Sequence, residues 1–172
     1  MHVINKNKAI FLDRDGLIND NSIAYYIHKV SDFKLNPGVI ECLKAFYNKA
    51  YLLIVITNQG GIAKGRYTKG DVEILNEHLK KLLHEDGIQL QDIYYCPHHS
   101  DVSKCLCRKP DSLLFEKAIA KYNIDPTLSF MIGDSERDII ASENLGIKGI
   151  KVPSNGNLLE SLRKTQIGSL LD

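Results

Sequence analysis

Residues 9–20 read AIFLDRDGLIND. Four apolar residues, Ala9 to Leu12, run directly into Asp13, Arg14, Asp15 and Gly16. A short apolar run of this kind reads as a buried strand. On an extended chain residues i and i+2 point the same way, so Asp13 and Asp15 face one partner together. An acidic turn explains the string as well, because Asp-Gly is a common turn signal. A calcium loop does not fit. Counted from Asp13, Leu17 falls on the third ligand position, Ile18 on the glycine and Ala24 on the glutamate.

Outward from this stretch, strand and helix patterns alternate. Strands are expected at Lys8–Leu12, Leu52–Ile56, Ile93–Tyr95, Ser129–Ile132 and Ile147–Val152. Helices are expected at Pro37–Ala50, Asp71–His84, Asp111–Tyr122 and Glu136–Asn144. Pro37 opens the first helix, and Ile74, Leu75, Leu79, Leu82 and Leu83 form the apolar side of the second. This order predicts an α/β fold, a Rossmann-like parallel sheet with helices on both faces. The least regular segments are Asn19–Lys34, Asn58–Tyr67 and Cys96–Lys109.

The chain has 172 residues, enough for one domain with its own core, and residues 1–172 are read as one. Net charge is +1, which argues against a nucleic-acid partner or an acidic membrane surface. No apolar run approaches the ~20 residues of a membrane span, and the run before Asp13 is too short for a signal-peptide core. A cytoplasmic monomer is expected. Its four cysteines are then thiols or metal ligands rather than disulfides.

In open parallel sheets, ligands bind beyond the carboxyl ends of the strands. Asp13, Thr57 and Asp134 each follow an apolar run, in IFLD, LLIVIT and SFMIGD. Three polar groups at three strand ends can converge in one crevice.

FLDRDG, VITNQGG, CRKP and IGDSERD together resemble the four ordered motifs of haloacid-dehalogenase-like phosphatases. The resemblance runs from about Ile10 to Val152. No insertion large enough for a cap domain is present, so the chain resembles the capless branch. Within it, NQGGIAKG, CPHH and CLCRKP resemble the group that holds heptose-bisphosphate phosphatases and histidinol-phosphate phosphatases.

The resemblance implies roles for individual residues. Asp13 is the expected nucleophile, and Asp15 the acid that protonates the leaving alkoxide and then the base that activates water. Mg²⁺ is the expected cofactor, held by Asp13, the Asp15 carbonyl and Asp134. Thr57 and Lys109 are expected to hold the phosphoryl oxygens, with Asn58 and Arg108 touching substrate. Asp138, one helical turn beyond Asp134, is expected to orient a metal-bound water or Lys109.

CPHHSDVSKCLC forms a second constellation. Cys96 and His98 are followed, after six intervening residues, by Cys105 and Cys107. Three thiolates and an imidazole match a tetrahedral zinc site; the alternative is three reduced cysteines in an irregular loop. His98 and His99 compete for the fourth place, and the family's C-x-H spacing favours His98. With four protein ligands the Zn²⁺ is expected to be structural and to fix Arg108 and Lys109, which follow Cys107 directly. Cys42 is read as core, and His2, His28, His78 and His84 are assigned no role.

The glycine-rich NQGGIAKGRYTKG loop follows Thr57. Lys64 and Arg66 are candidates for the second phosphate of a bisphosphate. GGIAKG leans towards heptose bisphosphate as substrate, although the family more often has serine where Gly60 stands and arginine where Lys64 stands. Histidinol phosphate is the alternative substrate, and a non-catalytic zinc-stabilised binding module is the alternative of another class.

Overall fold

The computed structural model describes residues 6–172; His2 lies outside the described residues. Five strands, β1 (Ala9–Leu12), β2 (Leu52–Asn58), β3 (Asp92–Cys96), β4 (Phe130–Gly133) and β5 (Lys148–Lys151), form one parallel sheet in the order β3-β2-β1-β4-β5. The order reverses at β1, the place where open α/β sheets leave a crevice beyond the strand ends.

Both faces of the sheet are covered. Ile10 and Leu12 enter a core shared with α1 (Val39–Asn48), α2 (Lys69–Glu85) and α5 (Leu158–Arg163). Ala9 and Phe11 enter the opposite core, shared with α3 (Leu113–Tyr122) and α4 (Glu136–Glu143). This is why the β1 run is apolar at every position instead of alternating.

Three expectations need correction. Helix α1 begins at Val39 behind Gly38, which takes a φ of +78°, so Pro37 lies just outside it. Ile74 is 63% exposed. The buried stripe of α2 runs through Val72, Leu75, Asn76, Leu79 and Leu83 instead, and Asn76 is polar there because it accepts a hydrogen bond from buried Arg14. Helix α5 was not expected; only Leu158 and Leu162 of its six residues are buried, too few for a periodic signal.

Candidate active site

The Asp13 N–H donates to Ile132 O at 3.0 Å, which ties the end of β1 to the end of β4 beside Asp134. Asp13 Oδ1 accepts from the Arg14 N–H at 2.8 Å and lies 3.0 Å from Lys109 Nζ. Both contacts use Oδ1, so Oδ2 has no protein partner among the described residues. The Lys109 ammonium is buried and meets three acceptors: Asp13, Asp138 Oδ1 at 2.7 Å and Ile56 O at 2.5 Å. Asp138 Oδ2 accepts from the Ser135 N–H at 3.0 Å. The same carboxylate therefore caps α4 and anchors Lys109.

Carboxylate oxygens of Asp13, Asp134 and Asp138 lie within 4.8 Å of one another. Three carboxylates against one ammonium leave the cluster two charges short of balance, which suits a hard divalent cation with oxygen ligands. Burial pushes the Asp13 carboxyl up to about 7; Lys109 opposes that, and Asp138 and Asp134 add to it. Burial opposes the charge on Lys109, but Asp13 and Asp138 together raise its pKa. The close packing also explains Gly16, which has a φ of +86° and where a Cβ would stand 2.5 Å from Asp134 Oδ2.

Asp15 occupies a different environment. Arg14, fully buried, pairs with it at 3.0 Å and also bonds Asn76 and the Ile27 carbonyl. Gln59 Nε2 donates to Asp15 Oδ2 at 2.7 Å and to Thr57 Oγ1 at 2.9 Å. Two neighbouring acids in unlike surroundings are suited to unlike roles.

One cleft, open to solvent, is lined by Asp13, Asp15, Thr57, Asn58, Arg108 and Asp134. Asn58 has a further contact: its side chain pairs both ways with the Lys109 backbone, at 3.0 and 3.1 Å, and so holds Lys109 in place. Lys64 and Arg66 do not line the cleft. Lys64 turns outward to Asp101 at 2.9 Å, and Arg66 is exposed. Tyr26, Tyr67, His99 and Arg137, none of which the sequence reading placed there, do line it. Arg137 was legible in principle, since it stands in the first turn of α4, three residues after Asp134. Its Nε is buried with no partner among the described residues.

Behind the cleft, donor atoms of Cys96, His98, Cys105 and Cys107 gather within 4.8 Å. Sulfur–sulfur distances are 3.0 and 3.7 Å, and His98 Nδ1 lies 3.3 and 3.7 Å from two of the sulfurs. Tetrahedral zinc with ~2.3 Å bonds to sulfur implies donor separations of roughly 3.6–3.8 Å; Cys96 stands at that distance from Cys105 and His98, while Cys107 lies closer, at 3.0 and 3.3 Å, to Cys96 and His98. Burial opposes the charged form of Cys105, but hydrogen bonds from the backbone N–H groups of Cys107 and Arg108, with those of the Cys107 and Cys96 side chains, together lower its pKa. His99 stands apart and faces the cleft.

Strand-end acids, a buried lysine and a hydroxyl around one switch point are the site of a haloacid-dehalogenase-like hydrolase. A HAD-hydrolase-like family model matches residues 106–169. The chain is 43% identical over 148 residues to D-glycero-beta-D-manno-heptose-1,7-bisphosphate 7-phosphatase of Haemophilus ducreyi, covering 82% of this chain and 80% of that one. It is 42% identical over 149 residues to D-glycero-alpha-D-manno-heptose-1,7-bisphosphate 7-phosphatase of Photorhabdus laumondii, covering 83% of this chain and 80% of that one. The crystal structure of D,D-heptose 1,7-bisphosphate phosphatase from B. bronchiseptica, complexed with magnesium and phosphate, superposes with a TM-score of 0.80 at 26% identity, over 92% of this chain and 87% of that one. The chain belongs to this heptose-bisphosphate phosphatase family of haloacid-dehalogenase-like hydrolases and is a phosphatase.

Proposed function

We propose that this single-domain phosphatase removes the 7-phosphate of D-glycero-D-manno-heptose 1,7-bisphosphate by way of a phosphoryl group carried on Asp13. The observation that supports the reading is the convergence of Asp13, Asp15, Thr57, Lys109 and Asp134 in a chain 43% identical to a protein of that name.

Asp13 Oδ2 attacks phosphorus, and the bond from phosphorus to the sugar oxygen breaks. Asp15 gives its proton to the leaving alkoxide and becomes the carboxylate. It then takes a proton from water, whose oxygen attacks phosphorus and frees Asp13, releasing inorganic phosphate. Thr57 and Lys109 hold the phosphoryl oxygens as charge redistributes. Asp13, the Asp15 carbonyl and Asp134 would hold Mg²⁺, which when bound would add positive charge beside those oxygens. Zn²⁺ on Cys96, His98, Cys105 and Cys107 is assigned a structural place. Among the described residues no helix is long and apolar enough to cross a membrane, in keeping with a cytoplasmic enzyme acting on a small phosphorylated sugar. Action as a monomer belongs to the same proposal.

The test is a comparison of kcat/KM for heptose 1,7-bisphosphate and for histidinol phosphate. Preference for histidinol phosphate overturns the substrate assignment. The second phosphate is assigned to Arg108 and Arg137, the cleft-lining arginines. A hydrogen bond to a charged group is worth ~1.5–3 kcal/mol, or roughly 10–150-fold. Arg137→Ala is therefore expected to lower kcat/KM for the bisphosphate about tenfold or more, and to change heptose 7-phosphate hydrolysis little. Equal losses on both would remove Arg137 from the second-phosphate site.

A further inference from the structure

Gln59 is 1% exposed and bonds two groups that flank the reacting phosphoryl in the proposed reaction, on which this inference rests. Its Nε2 carries two protons, and they go to Asp15 Oδ2 at 2.7 Å and Thr57 Oγ1 at 2.9 Å. Its Oε1 lies 2.7 Å from the Tyr67 hydroxyl. The amide nitrogen, with its two protons, faces the Asp15 and Thr57 oxygens, and the amide oxygen faces the Tyr67 hydroxyl. Tyr67 must then donate. Burial, with Asp15 next, raises its pKa and keeps it a neutral phenol.

The direction of the chain has a consequence at Thr57. Because Thr57 Oγ1 accepts from Gln59, its single hydroxyl proton is left to point elsewhere, and Thr57 lines the cleft. We propose that Tyr67 and Gln59 form a positioning pair: Tyr67 fixes the amide, and the amide holds the Asp15 carboxylate in place and makes Thr57 a hydrogen-bond donor to the phosphoryl group.

The surroundings fit a ring held in one orientation. His28 stacks on Tyr67 with centroids 5.3 Å apart, and Tyr26 meets it edge-on at 5.6 Å. The ring lies against Gly61, where a Cβ would come within 2.1 Å of it. Gly61 is thus glycine because the Tyr67 ring occupies the space of its side chain, a packing reason rather than a phosphate-binding one.

The test uses the full-length protein with Mg²⁺ and two substrates. A sugar alkoxide needs the proton of Asp15 to leave, whereas p-nitrophenolate leaves without it. kcat/KM reports only the steps up to phosphoryl transfer to Asp13. General acid catalysis contributes ~10²–10⁴-fold, and a misplaced acid loses part of that. Tyr67→Phe keeps the ring and removes the hydroxyl. It is expected to lower kcat/KM about 10–100-fold for heptose 1,7-bisphosphate and by no more than about fivefold for p-nitrophenyl phosphate. Gln59→Met is expected to show the same skew, and serves if Tyr67→Phe folds poorly. Equal losses on both substrates, or no loss, overturn the pair as a positioning element. A wild-type protein that hydrolyses neither substrate overturns the phosphatase mechanism itself, a distinct outcome.

Discussion

Asp13→Asn is expected to lower phosphate-ester turnover by about 10⁴-fold or more, the scale on which loss of a nucleophile falls. The substitution is isosteric, and the fold should survive it. Its amide is neither a nucleophile for phosphorus nor an anion. It also withdraws one of the two charges facing the Lys109 ammonium, with Asp138 remaining at 2.7 Å. The measurement is kcat with p-nitrophenyl phosphate and Mg²⁺, alongside a thermal melt. Activity within tenfold of wild type, in a folded variant, places the nucleophile elsewhere. Asp15→Asn is expected to differ in kind: Asp13 remains, so the activated aryl ester still phosphorylates it. Hydrolysis of that intermediate slows, because the base is gone. A burst of p-nitrophenolate ahead of a slow steady state is the expected trace.

Cys107→Ser is expected to lose bound zinc and to lower stability and activity together. Wild-type protein should carry about one zinc per chain, as one Cys₃His site requires. Loss of a structural metal belongs among the largest single-substitution effects, about 3–5 kcal/mol. For a chain of this size that corresponds to a melting temperature lower by roughly 6–20 °C. Activity should fall too, because Cys107 is joined through Arg108 to Lys109, and the Arg108 guanidinium donates to the His98 carbonyl at 3.1 Å within the same loop. Metal analysis and thermal melts of the two proteins decide the matter. A zinc-free wild type with full activity would overturn the assignment.

The sequence by itself determined the elements that bury a continuous face and the residues placed by chain periodicity. Every expected strand and helix forms, because each is marked by an apolar run or stripe that must be covered. Asp13 and Asp134 meet because each directly follows or closes such a run, and parallel strands bring their ends to one edge. Cys96, His98, Cys105 and Cys107 gather because short spacings within one loop restrict where the donors can go. What tertiary structure alone decided are contacts set by the path of loops. Lys64 looked like a phosphate-binding cation in a glycine-rich loop, yet the loop turns it to Asp101, while Arg137 reaches the cleft from α4. Asn58 engages the Lys109 backbone across 51 positions of sequence, and Arg14 reaches Asn76 across 62. Tyr67 meets Gln59 eight positions away through a turn that has no period to reveal it. A hydrogen bond requires its two atoms to meet within a few tenths of an ångström. Residue type and spacing carry no such precision across a loop; only the packed chain supplies it.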